Sequence, residues 1–221
     1  MSVEPQRVTR DVLALAKTVA ANDFPVERPS VIGVDRASGV LVRLAPFPWK
    51  GSDTDPPVQK WGWLQVTTAP DPRDVRPETL MLDGEIHESG YVDAKDAWRL
   101  RWPFVRPSEG DIVQLPLRYR FRCASDECSE THELPILDWE LHEMARKTRE
   151  RSGQQWATKF REAWGARLFE RYDVHLLLSS YAQSPSRFYV AGLFYPPREA
   201  EDAHEHMHHQ EHRHHREEAK S

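Results

Sequence analysis

A succession of short β-rich runs, each closed by a polar or proline-bearing turn, precedes the first clear helix signal, and this order restricts the fold more than any other feature. Residues 12–18 alternate, with Val12, Ala14 and Ala16 on one side and Leu13, Leu15 and Lys17 on the other. Residues 31–34 and 40–44 flank Asp35, Arg36, Ala37, Ser38 and Gly39, which have the length and composition of a hairpin turn. After the proline-rich loop APFPWKGSDTDPP, residues 61–67 read as a further strand. Strands so short, joined by polar turns, are expected to form a small antiparallel sheet or barrel of OB-like type.

The middle of the chain is harder to read. Residues 69–79, APDPRDVRPET, lack a periodic apolar face and are expected to form an extended arm or crossover. Residues 80–100 give no clear pattern. Trp98, Leu100, Trp102 and Phe104 alternate, and Pro103 would confine such a strand to an edge. Glu109, Gly110 and Asp111 suggest a turn into one strand over 112–122, with Pro116 marking an edge or bulge.

Helix signals begin at Asp138, whose carboxylate can accept from free N–H groups of a first turn. Leu137, Leu141, Met144, Ala145 and Thr148 follow at helical spacing, and Glu143 with Lys147 makes an i,i+4 pair on the expected exposed side. Gly153 suits a C-cap. A second helix is expected over 154–170, with Trp156, Phe160, Ala163, Trp164 and Leu168 on one face. Residues 174–181 and 188–195 read as a final strand pair ended by Pro196 and Pro197. The expected class is α+β: an OB-like β region over 1–79, an α+β region with a helix pair and β-hairpin over 80–197, and a disordered histidine-rich tail over 198–221.

A chain of 221 residues that is 39% hydrophobic and carries eight Trp can fill a substantial core. No run approaches the roughly 20 apolar residues of a membrane span, and the N-terminus lacks the charged-then-apolar order of a signal peptide. A cytoplasmic location with no membrane partner is therefore expected. The net charge is -5. Four basic and seven acidic residues after residue 197 leave the rest nearly neutral, so only a local basic face could support nucleic-acid binding.

Residues 118–143 concentrate the chemistry. Cys123, Cys128 and His132 lie within ten residues, in a segment too polar to fold on its own hydrophobicity. Soft thiolates and an imidazole suit zinc, but a structural zinc site takes four ligands, which leaves His142, Asp138 or a distant residue to complete it. The plainer alternative makes Cys123 a small buried hydrophobe and the other two ordinary loop residues. The two cysteines enclose only four residues, too short a loop for a disulfide to stabilise a domain much through chain entropy. A three-ligand catalytic site would need a base, for which Glu130, Glu133 and Glu140 are the candidates.

Arg118, Arg120 and Arg122 alternate with Tyr119 and Phe121, and Arg99, Arg101 and Arg106 interleave with Trp98 and Trp102. Guanidinium groups beside aromatic rings suit single-stranded nucleic acid, although a solvated strand face is the commoner outcome. Asp83 and Glu85 have the spacing of a metal-binding carboxylate pair and are better read as a polar turn. No serine sits in a nucleophile elbow, and no glycine-rich phosphate loop is present. His204, His206, His208, His209, His212, His214 and His215 could hold metal ions loosely, although a solubilising tail is the simpler reading.

Lys17-Thr18 at a strand end, VIGVDRASGVLVRLAPFP, WGWLQV followed by PRDVRPE, the Cys-Cys-His segment leading into ILDWEL, and FYVAGLFYPP occur together over residues 12–197. The set resembles a family of uncharacterised prokaryotic proteins and implies one continuous architecture. In that family a Gly-His pair follows the second cysteine, whereas here Thr131 precedes His132.

These readings favour a non-catalytic binding or adaptor protein, with nucleic acid or another protein as partner, over an enzyme. A metal-dependent hydrolase or nuclease centred on the Cys/His segment is the alternative.

Overall fold

The computed structural model describes residues 6–22, 25–48, 58–97, 104–114 and 117–198. It is a mixed α+β structure dominated by strands. The N-terminal part contains β1 (Val8–Thr18), β2 (Ser30–Asp35), β3 (Leu41–Leu44), β4 (Gly62–Pro70) and β5 (Thr79–Tyr91). Their hydrogen-bonded order, β1-β2-β3-β5-β4, closes back on β1 as a barrel. The β3–β5 pair is parallel, so the sheet is not purely antiparallel. Because β5 belongs to it, the N-terminal β region runs past the expected boundary at 79 to Tyr91.

Alternation sends Val12, Ala14, Val31, Val42, Leu44, Leu64 and Val66 into one apolar cluster, and Leu13, Leu15 and Ile32 into another. Ala16 departs from the expected pattern. A register shift between Ala14 and Ala16 puts it with Leu13 and Leu15, because one extra residue reverses the alternation that follows. The turn over 35–39 forms as expected: Asp35 Oδ1 accepts from the N–H groups of Ala37 (3.0 Å) and Ser38 (2.8 Å).

The expected arm over 69–79 is instead a compact connection between β4 and β5, held by buried charges. Arg76, only 4% exposed, donates to both Glu27 oxygens at 2.9 Å and to Asp74 at 2.6 and 2.8 Å. Polar composition hid this burial because the partners satisfy one another rather than solvent.

A one-turn helix, α1 (Ala94–Ala97), leads into the C-terminal part. The expected edge strand around Trp98 to Pro103 falls outside the described residues, as does Pro116. β6 (Pro107–Gln114), β7 (Arg118–Cys123) and β8 (Thr131–Pro135) form a three-stranded antiparallel sheet. Glu109, Gly110 and Asp111 therefore lie within β6 rather than in a turn, and the single strand expected over 112–122 is two strands that reverse direction.

α2 (Trp139–Ser152) starts at Asp138, whose Oδ1 accepts from the N–H of Glu140 at 2.8 Å. It ends at Gly153, where a φ of 51° favours glycine. Glu143 meets Lys147 at 3.4 Å as expected, but Glu143 is buried rather than exposed. After a 3-10 turn, the expected helix over 154–170 is broken into α3 (Trp156–Trp164) and α4 (Ala166–Arg171). The break falls at Gly165, where a Cβ would lie 2.1 Å from Asp111 Oδ1, too close for any side chain.

The last pair is β9 (His175–Tyr181) and β10 (Ser184–Phe194); most of β9 and the second half of β10, Tyr189 to Phe194, are buried on both sides. Leu177, Tyr181, Tyr189 and Ala191 pack with Leu13, Leu15 and Ile32 of the barrel's outer surface. Leu176, Val190 and Leu193 pack with Ile112, Tyr119, Phe121, Leu141 and Phe160. This double burial accounts for the nearly continuous apolar runs of the two strands.

Candidate metal centre

The β7–β8 hairpin places the cysteine segment. Phe121 pairs with His132 across the two strands, so Tyr119, Phe121, Cys123, His132 and Leu134 share the inner face, while Arg118, Arg120, Arg122 and Glu133 share the outer one. Cys123 ends β7, Cys128 lies in the connecting loop, and His132 is the second residue of β8. A turn closed by the Cys128 N–H on the Ser125 carbonyl (3.2 Å) folds the loop back.

The geometry brings the three expected residues together. One ligand atom from each lies within 4.8 Å of the other two, and Cys128 Sγ is 3.0 Å from His132 Nε2. All three side chains are half-buried. Metal–ligand lengths of ~2.0–2.3 Å place tetrahedral ligands about 3.5 Å apart, so small adjustments complete three corners of a site. The group could hold a metal ion. Burial, together with the neighbouring Cys128 thiol, pushes the Cys123 thiol above its usual pKa. The His132 ring also packs on Phe121, with centroids 5.1 Å apart, which fixes its plane.

The other suggested ligands are engaged elsewhere. His142 Nε2 pairs with the Ile136 carbonyl at 2.8 Å. Asp138 caps α2 and accepts from the Leu193 N–H at 2.7 Å. Among the candidate bases, Glu133 is on the outer face and takes Arg118 and Arg120, each at 2.9 Å. Glu140 is bound to Lys60 at 2.9 Å. Glu130 is exposed in the loop.

The arginines form a mixed rather than a bare cationic face. Besides the Glu133 pairs, Arg122 lies 3.8 Å from Glu109, and Arg120 is directly opposite Asp111. Arg101 and Trp102 of the expected basic-aromatic surface, with Trp98 and Arg99, lie outside the described residues. Arg106 is tied to Asp173 at 2.9 Å. Asp83 and Glu85 lie in strand β5 rather than a turn, with Asp83 paired to Arg7.

Sequence reasoning missed a second charged cluster. Lys17 and Lys60 converge on Glu140 at 3.6 and 2.9 Å, and Lys17 sits 4.3 Å from the centroid of the Trp139 ring. Burial pushes the Asp138 carboxyl up, although Lys60 opposes it, and burial pushes the Lys17 ammonium down. The one signal in the sequence was Lys17 itself, a charge in the otherwise apolar series Leu13, Leu15 and Lys17.

Two families match the chain in succession. Each is described as a domain of unknown function: Domain of unknown function (DUF8758) over residues 9–107, and Domain of unknown function (DUF8757) over residues 112–217. The chain matches no curated protein and no solved structure. Among the described residues, no helix is long and apolar enough to cross a membrane.

Proposed function

We propose that the chain is a non-catalytic binding protein whose working element is the β7–β8 hairpin, clamped by zinc at Cys123, Cys128 and His132. The convergence of two sulfurs and an imidazole nitrogen within 4.8 Å carries this reading. Thiolate and imidazole donors suit zinc, and zinc would supply the folding free energy that a polar loop lacks. The engaged positions of Glu133 and Glu140 weigh against the hydrolase alternative.

In this reading the N-terminal barrel is OB-like, supported by its order β1-β2-β3-β5-β4 and its parallel β3–β5 pair. It acts as scaffold, since Arg43 on β3 is buried against β9 and β10 and does not offer an open strand surface to oligonucleotides. Division into an N-terminal β region and a C-terminal α+β region is supported by two family matches that part between residues 107 and 112. The chain works in the cytoplasm, where reduced thiols remain free to bind metal.

In this reading nucleic acid is contacted through Arg118, Arg120 and Arg122. Exposed ion pairs contribute little because solvent and salt screen them, so phosphates can displace the carboxylates at small cost. Filter binding of single-stranded and duplex oligonucleotides at two salt concentrations tests this, with salt-sensitive binding and no cleavage expected. Metal-dependent cleavage would favour the hydrolase instead.

A further inference from the structure

We infer that Cys123 and Cys128 are a modification site as well as a metal site: a hydroperoxide oxidises the two thiols to a reversible disulfide, which removes two of the three gathered donors. The thiol chemistry stands on the geometry of the pair itself, while the loss of metal rests on the metal reading above.

The chain has two cysteines, so each is the other's one thiol partner within the chain. Their sulfurs lie within 4.8 Å of each other, against about 2.0 Å in a disulfide. The loop can close that gap. Ala124 to Glu127, Ser129 and Glu130 are exposed, and Ser125 holds the loop through its carbonyl, at 3.2 Å from the Cys128 N–H, and its hydroxyl, at 3.3 Å from the Glu127 N–H. Moving Cys128 inward therefore unpacks no core side chain.

The two sulfurs are placed unequally. Cys123 ends β7, pairs with Pro107 and packs beside the apolar cluster of Tyr119 and Phe121. Cys128 sits in the exposed loop with its Sγ 3.0 Å from His132 Nε2. The outer thiol meets the oxidant first and the inner one resolves it, the arrangement of a sensing cysteine beside a resolving cysteine. In the metal-free chain, the Cys128 sulfur takes one oxygen from hydrogen peroxide as the O–O bond breaks, and its proton leaves with the other oxygen as water. The Cys123 sulfur then attacks the sulfenic sulfur. The S–S bond forms as the S–O bond breaks, and a second water carries off the Cys123 proton. Two electrons have passed from the thiol pair to the peroxide.

Reversibility follows from the same spacing. Only four residues separate the cysteines, so the bond constrains little chain entropy. Disulfides that are accessible belong to the labile class, and exchange with a small thiol returns both sulfhydryls.

The test treats the full, untagged, metal-free chain with hydrogen peroxide, removes the excess with catalase and reads intact mass, free thiols and the Co(II) spectrum. The monomer should lose two hydrogens in mass and both thiols together, and a peptide should link Cys123 to Cys128. The reduced chain should show a thiolate-to-cobalt charge-transfer band that the oxidised chain lacks and that a phosphine reductant restores. Cys123→Ser should instead accumulate oxygen on Cys128, passing sulfenic to sulfinic acid for want of a resolving thiol. Cys128→Ser should keep its remaining thiol several-fold longer than the unchanged chain keeps its pair. Oxygen added to both sulfurs of the full chain, or a disulfide formed only between two chains, would overturn the pair. A cobalt band in the reduced chain with thiols that peroxide leaves intact would overturn the switch while the metal reading stands. A Cys123–Cys128 disulfide in a chain whose reduced form gives no thiolate band would uphold the pair and overturn the metal reading.

Discussion

Arg43 of β3 donates a 2.8 Å hydrogen bond to the hydroxyl of Tyr189 in β10, joining residues 146 apart in sequence at a seam where neither meets solvent. The same guanidinium donates to Ser30 Oγ at 2.9 Å and to Ser179, so one side chain ties the barrel to the ribbon that covers it.

Tyr189→Phe should therefore destabilise the protein by about 1.5–3 kcal/mol, the range for a hydrogen bond to a charged group, because the donor it leaves stays buried. Urea unfolding reads this as a lower midpoint with unchanged slope. An unchanged midpoint would mean that apolar packing alone holds the seam.

Acid should loosen the β4–β5 connection. Burial alone would raise the Asp71 pKa, but hydrogen bonds from the Arg28 side chain and from the backbone and side chain of Arg73 outweigh it and hold the carboxyl at about 2, below its usual 3.8. A depressed folded-state pKa contributes stability that is present above 3.8 and lost as pH falls towards about 2. Asp71→Asn should remove that part of the acid dependence while lowering stability at neutral pH. Parallel stability–pH curves for the two proteins below pH ~4 would assign the acid sensitivity to other groups.

β1 and β2 approach too closely for any side chain at Gly33. A Cβ there would lie 2.4 Å from the Leu13 carbonyl oxygen and 2.6 Å from Val12 Cγ1. Because the obstacle includes backbone within the barrel, Gly33→Ala should cost about 1–3 kcal/mol, as overpacking does elsewhere. A thermal midpoint equal to that of the unchanged protein would show that the strands can part.

The same contacts explain which elements the sequence disclosed. β1 to β4 are short runs rich in apolar residues that end in recognisable turns, whereas β5 carries Asp83, Gly84, Glu85, Glu88 and Gly90, which interrupt any apolar pattern. The bulge that reassigns Ala16 has no compositional mark, since alanine suits either face. Gly165 could be recognised as a helix breaker only once Asp111 was known to press against it. Locality likewise separates the charged sites: Cys123, Cys128 and His132 are legible within ten residues, while the Arg76–Glu27 pair spans 49.

On the outer face of β7, replacing Arg118, Arg120 and Arg122 together by Ala should weaken oligonucleotide binding and flatten its salt dependence, by about 0.7–0.9 in logarithmic slope for each phosphate left without its arginine. Since Arg118 and Arg120 share Glu133, the triple change also frees a carboxylate, and Glu133→Gln alone should strengthen binding. A slope unaffected by the triple change would remove this face as the nucleic-acid site.

Clamping by zinc at Cys123, Cys128 and His132 should show in stability. In a background with the seven tail histidines changed to Asn, loose binding outside the Cys/His segment is suppressed. An ion that binds the folded chain and not the unfolded one stabilises it by about 2.7 kcal/mol at a free concentration of 100 times Kd. Zinc should therefore raise the thermal midpoint in that background, and a chelator should reverse the rise. Cys128→Ser should abolish the rise while barely changing the metal-free midpoint, because Cys128 is half-buried in a polar loop and its principal neighbour is His132. Elemental analysis should find about one zinc per chain, the stoichiometry of a single structural site, and none after the serine change. An equal zinc-induced rise in both proteins would place the ion elsewhere, and no rise in either would leave Cys123 as a small core residue and the hairpin held by its strand pairing alone.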